Sequence, residues 1–511
     1  MKLSNLFKRE DNHMEKKIIS GYPLIINYLG IFAILVGIIN MIPLVLIAFR
    51  TSEIANAHLF LIPGIASMLI GFIIVLLFKG REKGKLERHQ DAILVVSIWI
   101  MAILISSIPF LLTGNYTFTQ SVFEATSGYS TTGLTVTDVE SAPDSLLLFR
   151  SLLQFFGGIG LVLVLTSAVS DKFGMRLYSA EGHSDKLMPN LIRSARMILS
   201  IYIGYIIIGS IFYIIFGMEP FDAINHSISA VATGGFSTKA LSIGHYNSLA
   251  IEITTIVLMI LGGTNFFVHL MLLRGKLKNV IAHVEIKLLG IMILITLPLF
   301  TINLLSVYNG DLGQSLRVGI FQFFSAVTGT GYQTVDTFVG PNVPVLFFFG
   351  LIIFMVLGAG MGSTAGGMKQ YRVALAFKSL YWNMKEQLSH KKTTRTHFIN
   401  KIGTRTIVEK EDIIQNHSFI MIYMIVLLIG TIIYTGYGHS LSLSLFEFSS
   451  ALGTVGLSVG LTSISTPPLL LWTSIFGMFL GRLEFYVIFI AITKVTMDIK
   501  RGKQPFKRAE A

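Results

Sequence analysis

The chain contains no cysteine, which excludes disulfide cross-links and thiolate metal sites and leaves the redox compartment open. Charge is scarce as well: 13% of the 511 residues are Asp, Glu, Lys or Arg, against 52% hydrophobic. That balance excludes a soluble globular protein and describes one that crosses a membrane several times. No Walker motif, dinucleotide fingerprint or nucleophile–base arrangement is present, so the chain is read as no enzyme, and any nucleotide sensing has to come from another subunit. No His, Asp and Glu cluster has metal-ligand spacing, and His226 and His269 are read as satisfying a polar interior. No cleavable signal peptide is recognised, because the first apolar run is too long and follows a mixed-charge segment, Lys2 to Lys17, without a small-residue cleavage site.

What the chain has in quantity is apolar runs long enough to cross a bilayer, which takes about 20 residues. Candidates lie at 23–48, 57–79, 91–113, 149–170, 198–218, 247–273, 286–307, 343–366, 417–437 and 467–494. The net charge of +12 is concentrated in alternate connections: the N-terminus, 79–90, 172–196, 274–287, 369–410 and 494–508. The intervening loops carry only Arg50, Arg150, Lys239 and Arg317. The positive-inside rule then predicts a multi-pass protein with both termini cytoplasmic and all four glycine loops outside, and its expected location is the plasma (cell inner) membrane. Its basic charge faces the cytoplasm and implies no nucleic acid.

A short pattern recurs four times between these runs: Ser130 to Leu134, Ala232 to Phe236, Thr328 to Tyr332 and Gly453 to Leu457. The copies register on Gly133, Gly235, Gly331 and Gly456. Six positions earlier each has a serine (Ser127, Ser229, Ser325, Ser450), followed by a small residue (Gly128, Ala230, Ala326, Ala451). Phe123, Phe321 and Phe446 stand ten positions before the glycine, with Asn225 as the exception. Any single Thr-x-Gly among 47 glycines carries no information, but four copies in phase do. The spacings are about 100 residues for the first three copies and about 125 for the last, as expected for one unit used repeatedly.

The segment before each glycine, such as 119–128 or 442–453, is too short to span and reads as a re-entrant pore helix. Such helices aim their partially negative C-termini at a common axis and favour a cation there. The expected ion filter comprises Thr131, Thr132 and Gly133; Thr233, Gly234 and Gly235; Gly329, Thr330 and Gly331; and Thr454, Val455 and Gly456. Their carbonyls would replace the hydration shell of a monovalent cation, and the chain needs no organic cofactor. Glu124, Glu447 and Asp222 either attract cations at the mouth or satisfy neighbouring loop amides.

Residues 358–367 hold five glycines, two alanines, a serine and a threonine. Each Gly costs about 1 kcal/mol of helix propensity relative to Ala, so an unwound intramembrane stretch is expected. The expected gate comprises Gly360, Gly362, Ser363, Thr364, Gly366 and Gly367 together with Arg482, the one basic residue deep within an apolar run. The plainer alternatives are a glycine face for helix packing, and an ion pair of Arg482 with Glu124 or Glu447.

These residues resemble the Trk/Ktr/HKT superfamily of potassium transporters over about 91–498. Gly358 to Lys369 and Gly481-Arg482-Leu483-Glu484 look like Trk signatures, as does Thr233 to Thr238 of the second copy. Thr454 to Ser458 looks like the fourth filter of the Ktr branch, and the hairpin 23–79 fits Trk. The resemblance implies an all-α membrane protein of four fused helix–pore-loop–helix repeats with pseudo-fourfold symmetry around one pore. The expected layout is an N-terminal segment and extra hairpin (1–85), repeats at 86–175, 176–275, 276–380 and 417–498, a cytoplasmic loop 381–416 and a tail 499–511. It also implies that the ion transported and bound in the filter is K⁺, and that the chain forms a homodimer in membrane lipid, with one pore per subunit. A cytoplasmic ring of nucleotide-binding regulatory subunits would dock on the basic inner face, including 369–416. The competing readings are the potassium-binding subunit of a P-type ATPase and, from another class, a multispan membrane enzyme.

Overall fold

The computed structural model describes residues 18–19, 21–78, 82–83, 86–160, 191–335, 338, 343–389, 396–401 and 404–500. The expected N-terminal segment, the inner half of the run 149–170, the boundary at 175/176 and all but the first two residues of the tail lie outside them. Helix dominates. The only sheets among the described residues are the two-residue pair β1 (Ile18–Ile19) with β2 (Glu82–Lys83) and the hairpin of β3 (His397–Lys401) with β4 (Thr404–Val408).

The N-terminal hairpin joins α1 (Tyr22–Met41) to α2 (Ala57–Leu77) through two short 3₁₀ segments. Glycine sets their separation: a Cβ on Gly37 would lie 2.7 Å from the Gly64 carbonyl, so no larger residue permits this approach. Glu53, at the turn, accepts from the Asp144 and Ser145 amides and the Ser145 hydroxyl. The hairpin thereby caps the helix that follows the first glycine loop, with a carboxylate where the helix dipole favours one.

The four units are alike. The first is α3 (Gln90–Leu112), α4 (Phe118–Tyr129) and α5 (Asp144–Ile159). The second is α6 (Leu191–Ile215), α7 (Pro220–Val231), α8 (Leu249–Gly263) and α9 (Phe266–Leu273). After the short α10 (Leu277–Ala282) come α11 (Val284–Leu305), α12 (Leu312–Thr328), α13 (Val345–Leu357) and α14 (Gln370–Gln387). The fourth is α15 (Lys410–Gly436), α16 (Leu441–Gly453), α17 (Pro468–Leu483) and α18 (Phe485–Lys500).

The short helices α4, α7, α12 and α16 begin where side chains satisfy their first amides. Thr117, Asp311 and Ser440 cap three of them, and Pro220 opens the fourth, where its missing N–H costs nothing. Each short helix packs against the second helix of the preceding unit: α7 on α5, α12 on α8, α16 on α13, and α4 on α17. The last contact joins the fourth unit to the first and closes a ring.

Six helical segments among the described residues are long and apolar enough to cross a membrane, and two further candidates are bent pairs. Large apolar side chains such as Phe72, Ile207, Leu294 and Ile302 face outward, as lipid contact requires. This is a multi-pass membrane protein. The second helices are interrupted, as expected for the glycine-rich end of the third and not expected for the others. The run 247–273 bends by 108° between α8 and α9, and 467–494 by 101° between α17 and α18. The run 343–366 is helical only to Leu357, and within 149–170 the helix α5 stops at Ile159. Apolar residues continue on both sides of the two bends, so an apolar count cannot register them, whereas the glycines after Leu357 do mark theirs. The loop 381–416 also holds more order than its charge suggests. The β3–β4 hairpin buries Ile399 against Leu375 of α14, and His397 stacks on Trp382 at 4.5 Å.

Candidate functional site

Each short helix ends in the same turn. The amides of Thr132, Gly234, Thr330 and Val455 donate to the carbonyls of Ser127, Ser229, Ser325 and Ser450, at 2.8–3.0 Å. Just before them, Thr131, Thr233, Gly329 and Thr454 take φ between 49° and 71°, which turns the chain out of the helix. The registered glycines follow with φ of 91°, 71°, 79° and 99°. That left-handed backbone is what glycine supplies at no steric cost.

These glycines stand in a ring. A Cβ on Gly133 would lie 2.3 Å from the Gly234 carbonyl oxygen, and one on Gly235 2.0 Å from that of Thr330. One on Gly331 would lie 1.9 Å from the Val455 oxygen, and one on Gly456 2.2 Å from that of Thr132. Every limb rests on the next, and the fourth rests on the first. The carbonyls of Thr132, Gly234, Thr330 and Val455 thus form one layer. Their residues are buried, whereas the four glycines are half-buried and open together into a cavity of about 380 Å³. Such a layer can replace the water shell of one cation.

Behind the ring, the serines of the first, third and fourth limbs tie them to their helices. Ser127 donates to the Leu134 carbonyl at 2.6 Å and accepts from the Gly133 amide at 3.1 Å. Ser325 donates to the Tyr332 carbonyl at 2.5 Å, and Ser450 accepts from the Gly456 amide at 2.9 Å. Glu124 and Glu447 face these arms rather than the mouth. Glu124 accepts from the Thr135 hydroxyl and the Val136 and Thr137 amides. Glu447 accepts from Ser458, the Val459 amide and Thr462. Asp222 likewise accepts from Thr238 and Tyr246.

The same slot, nine positions before the glycine, is filled by His226 and Gln322 in the other copies, bonded to Ser237 at 2.9 Å and Thr334 at 3.3 Å. Sequence reasoning missed this equivalence, although the shared register carried it. It also missed Arg150, which is 1% exposed, pairs with Glu124 at 3.4 Å and lies 3.9 Å over the Phe236 ring at the mouth.

Beneath the ring, residues 358–369 form no helix. This segment touches three other units. The Thr364 hydroxyl meets the carbonyls of Gly262 and Val231 and the hydroxyl of Thr233, all within 3.2 Å. The Gly360 amide donates to the Gly263 carbonyl at 3.0 Å, and the Gly367 amide to Gly481 at 3.3 Å. Gly366 sits against the Thr454 side chain, and Ser363 bonds the Gly360 carbonyl. At Gly362, with φ 70°, the loop runs beside Asn265, the cap of α9, and accepts from the Phe266 amide.

Glu124, weighed from the sequence as a partner of Arg482, is taken by Arg150, and Arg482 bonds elsewhere. Its guanidinium donates to the carbonyls of Thr364, Gly157 and Gly158 and to the Thr131 hydroxyl. It therefore joins the first, third and fourth units just below the ring. Glu484, two residues on at the α17–α18 bend with φ 58°, pairs instead with Arg372 of α14, which stacks at 4.0 Å over Phe419. The structure thus brings all twelve expected filter residues to one ring, and the expected gate residues to one layer beneath it.

A family model for the cation transport protein TrkH matches residues 60–500. The chain is 29% identical over 490 residues to an uncharacterized cation transporter of Methanocaldococcus jannaschii, covering 93% of this chain and 96% of that relative. It is 30% identical over 437 residues to the Trk system potassium uptake protein TrkG of Escherichia coli, covering 81% and 86%. The crystal structure of the potassium transporter TrkH from Vibrio parahaemolyticus has the same fold, with a TM-score of 0.81 at 24% identity over 93% of this chain and 99% of that one. These relatives carry the names of transporters, not of enzymes.

Proposed function

This chain belongs to the TrkH family of cation transport proteins, and from that we propose that it takes up K⁺ down its electrochemical gradient through the glycine ring. The observation that carries this reading is the closed set of contacts from Gly133 to Gly234, Gly235 to Thr330, Gly331 to Val455 and Gly456 to Thr132. Four carbonyls in one buried layer, reached from a wet mouth, suit a dehydrated monovalent cation. The name of the E. coli relative, a potassium uptake protein, supports K⁺ as the ion.

In this reading the layer of 358–367 and Arg482 is the gate. The basic connections face the cytoplasm together with both termini, and the units divide as 86–175, 176–275, 276–380 and 417–498. The chain works as a homodimer, gated by a cytoplasmic ring of nucleotide-binding subunits on its basic inner face. The deciding experiment is cation flux from purified protein in liposomes, comparing K⁺, Rb⁺, Na⁺ and Li⁺. Preferential K⁺ and Rb⁺ flux is expected; equal flux of all four would remove the filter reading.

A further inference from the structure

We propose that Gln154 is a positioning residue for the second limb of the ring, tethering the Gly234 carbonyl so that one of the four ion ligands differs from the other three. The inference rests on the reading of that ring as a K⁺ filter.

Gln154 stands on α5, in the first unit, and is fully buried. Its Nε2 donates to the Gly234 carbonyl oxygen at 2.5 Å, and its Oε1 accepts from the Phe236 amide at 3.3 Å. One amide thus spans the glycine of the neighbouring unit. Gly234 is what admits it, since a Cβ there would lie 2.4 Å from the Gln154 Cδ. In the other three copies the comparable ties come from the unit's own serine. The second limb is instead held from both sides, by Gln154 and by the Tyr332 hydroxyl, which donates to the Phe236 carbonyl at 3.2 Å.

A carbonyl oxygen has two lone pairs. With Gln154 on one of them, Gly234 keeps one for the ion, and its direction is fixed. The amide hydrogen also draws negative potential away from that oxygen. Among the described residues no side-chain amide reaches the Thr132, Thr330 or Val455 carbonyls. Arg150, one turn outward on the same helix, bonds the Ser237 carbonyl at 3.4 Å. One face of α5 is therefore given over to the neighbouring limb, where a helix in a membrane would otherwise bury apolar groups.

Removing the tether leaves a ring that closes less firmly on K⁺ and admits Na⁺ more readily. Gln154→Glu keeps the acceptor for Phe236 and loses the donor to Gly234; Gln154→Met loses both at similar volume. In liposomes, the K⁺-to-Na⁺ flux ratio should fall at least about threefold in both, the scale of one neutral hydrogen bond. The half-saturating K⁺ concentration should rise, while Gln154→Met still folds, its unfolding midpoint lowered by no more than the loss of two hydrogen bonds. Unchanged ratios with flux intact overturn the proposal. So does failure of both variants to fold, which would reduce Gln154 to a packing residue. A parent protein without K⁺ preference would instead defeat the filter reading itself, before either variant is compared.

Discussion

The guanidinium of Arg482 donates to the carbonyl of Thr364, so the bent helix of the fourth unit and the glycine-rich segment of the third meet at one oxygen below the ring. The Thr131 hydroxyl reaches the same oxygen at 3.4 Å. Thr131, the loop and a fixed positive charge therefore share one node. Any movement of 358–369 away from the axis has to release that bond, and in the proposed reading a cation passing the ring would meet that charge.

Arg482→Ala should raise K⁺ flux in liposomes by tens of fold. At about 6 Å and an effective dielectric near 20, a guanidinium opposes a cation by about 3 kcal/mol, on the order of a hundredfold in occupancy. Arg482→Lys keeps the charge and should conduct less than the alanine variant. Unchanged flux in Arg482→Ala and in a deletion of Gly360 to Gly367 alike would eliminate the gate.

Gly456→Ser and Gly133→Ser should each weaken the K⁺-over-Na⁺ preference. At both positions φ exceeds 90°, and a Cβ would enter the space of a neighbouring carbonyl oxygen, 2.2 and 2.3 Å away. The serine must displace that oxygen, so one ligand of the layer moves. Competitive flux of K⁺ against Na⁺ reads the effect, and identical ion ratios in both variants would count against the filter.

Glu124→Ala should destabilise the protein far more than Glu124→Gln. The Glu124 and Arg150 side chains are 0% and 2% exposed. Removing one member strands a buried guanidinium, at a cost of about 3–5 kcal/mol. Glutamine keeps an acceptor for the Val136 amide. The check is thermal unfolding of the purified protein in detergent, where equal midpoints for the two variants would contradict the assignment.

Glu484→Gln should loosen the lower layer. The pair with Arg372 is mostly but not fully buried, with side chains 10% and 14% exposed. Its loss should cost about 2 kcal/mol, between the exposed and buried limits. We expect a lower unfolding midpoint together with raised resting K⁺ flux, whereas a lower midpoint with flux unchanged would confine the pair to structure.

The ring was legible because the same turn had to be made four times. A short helix delivering a carbonyl to the axis needs a left-handed residue after it and a serine behind it, and both leave marks at fixed distances from Gly133, Gly235, Gly331 and Gly456. The low helix propensity of 358–367 likewise announced a break. The bends at Thr264-Asn265 and Glu484 left no comparable mark, since apolar residues continue on both sides. Gln154 was invisible for another reason: its partners, Gly234 and Phe236, are distant in sequence, and nothing in a single glutamine on an apolar helix points to them. For Glu124 and Glu447 the sequence left open an attraction for cations or the satisfaction of loop amides, and the structure shows the second for both carboxylates. Their lone pairs are taken by the arms of the loops.

Gly456 leans on the Thr132 carbonyl, which makes the final limb the keystone of an arch begun near the start of the chain. A nascent polypeptide that has inserted three units has an open gap at the axis where the fourth belongs. In the proposed reading, coordination of an ion by all four carbonyls can therefore arise only once synthesis has run nearly to its end.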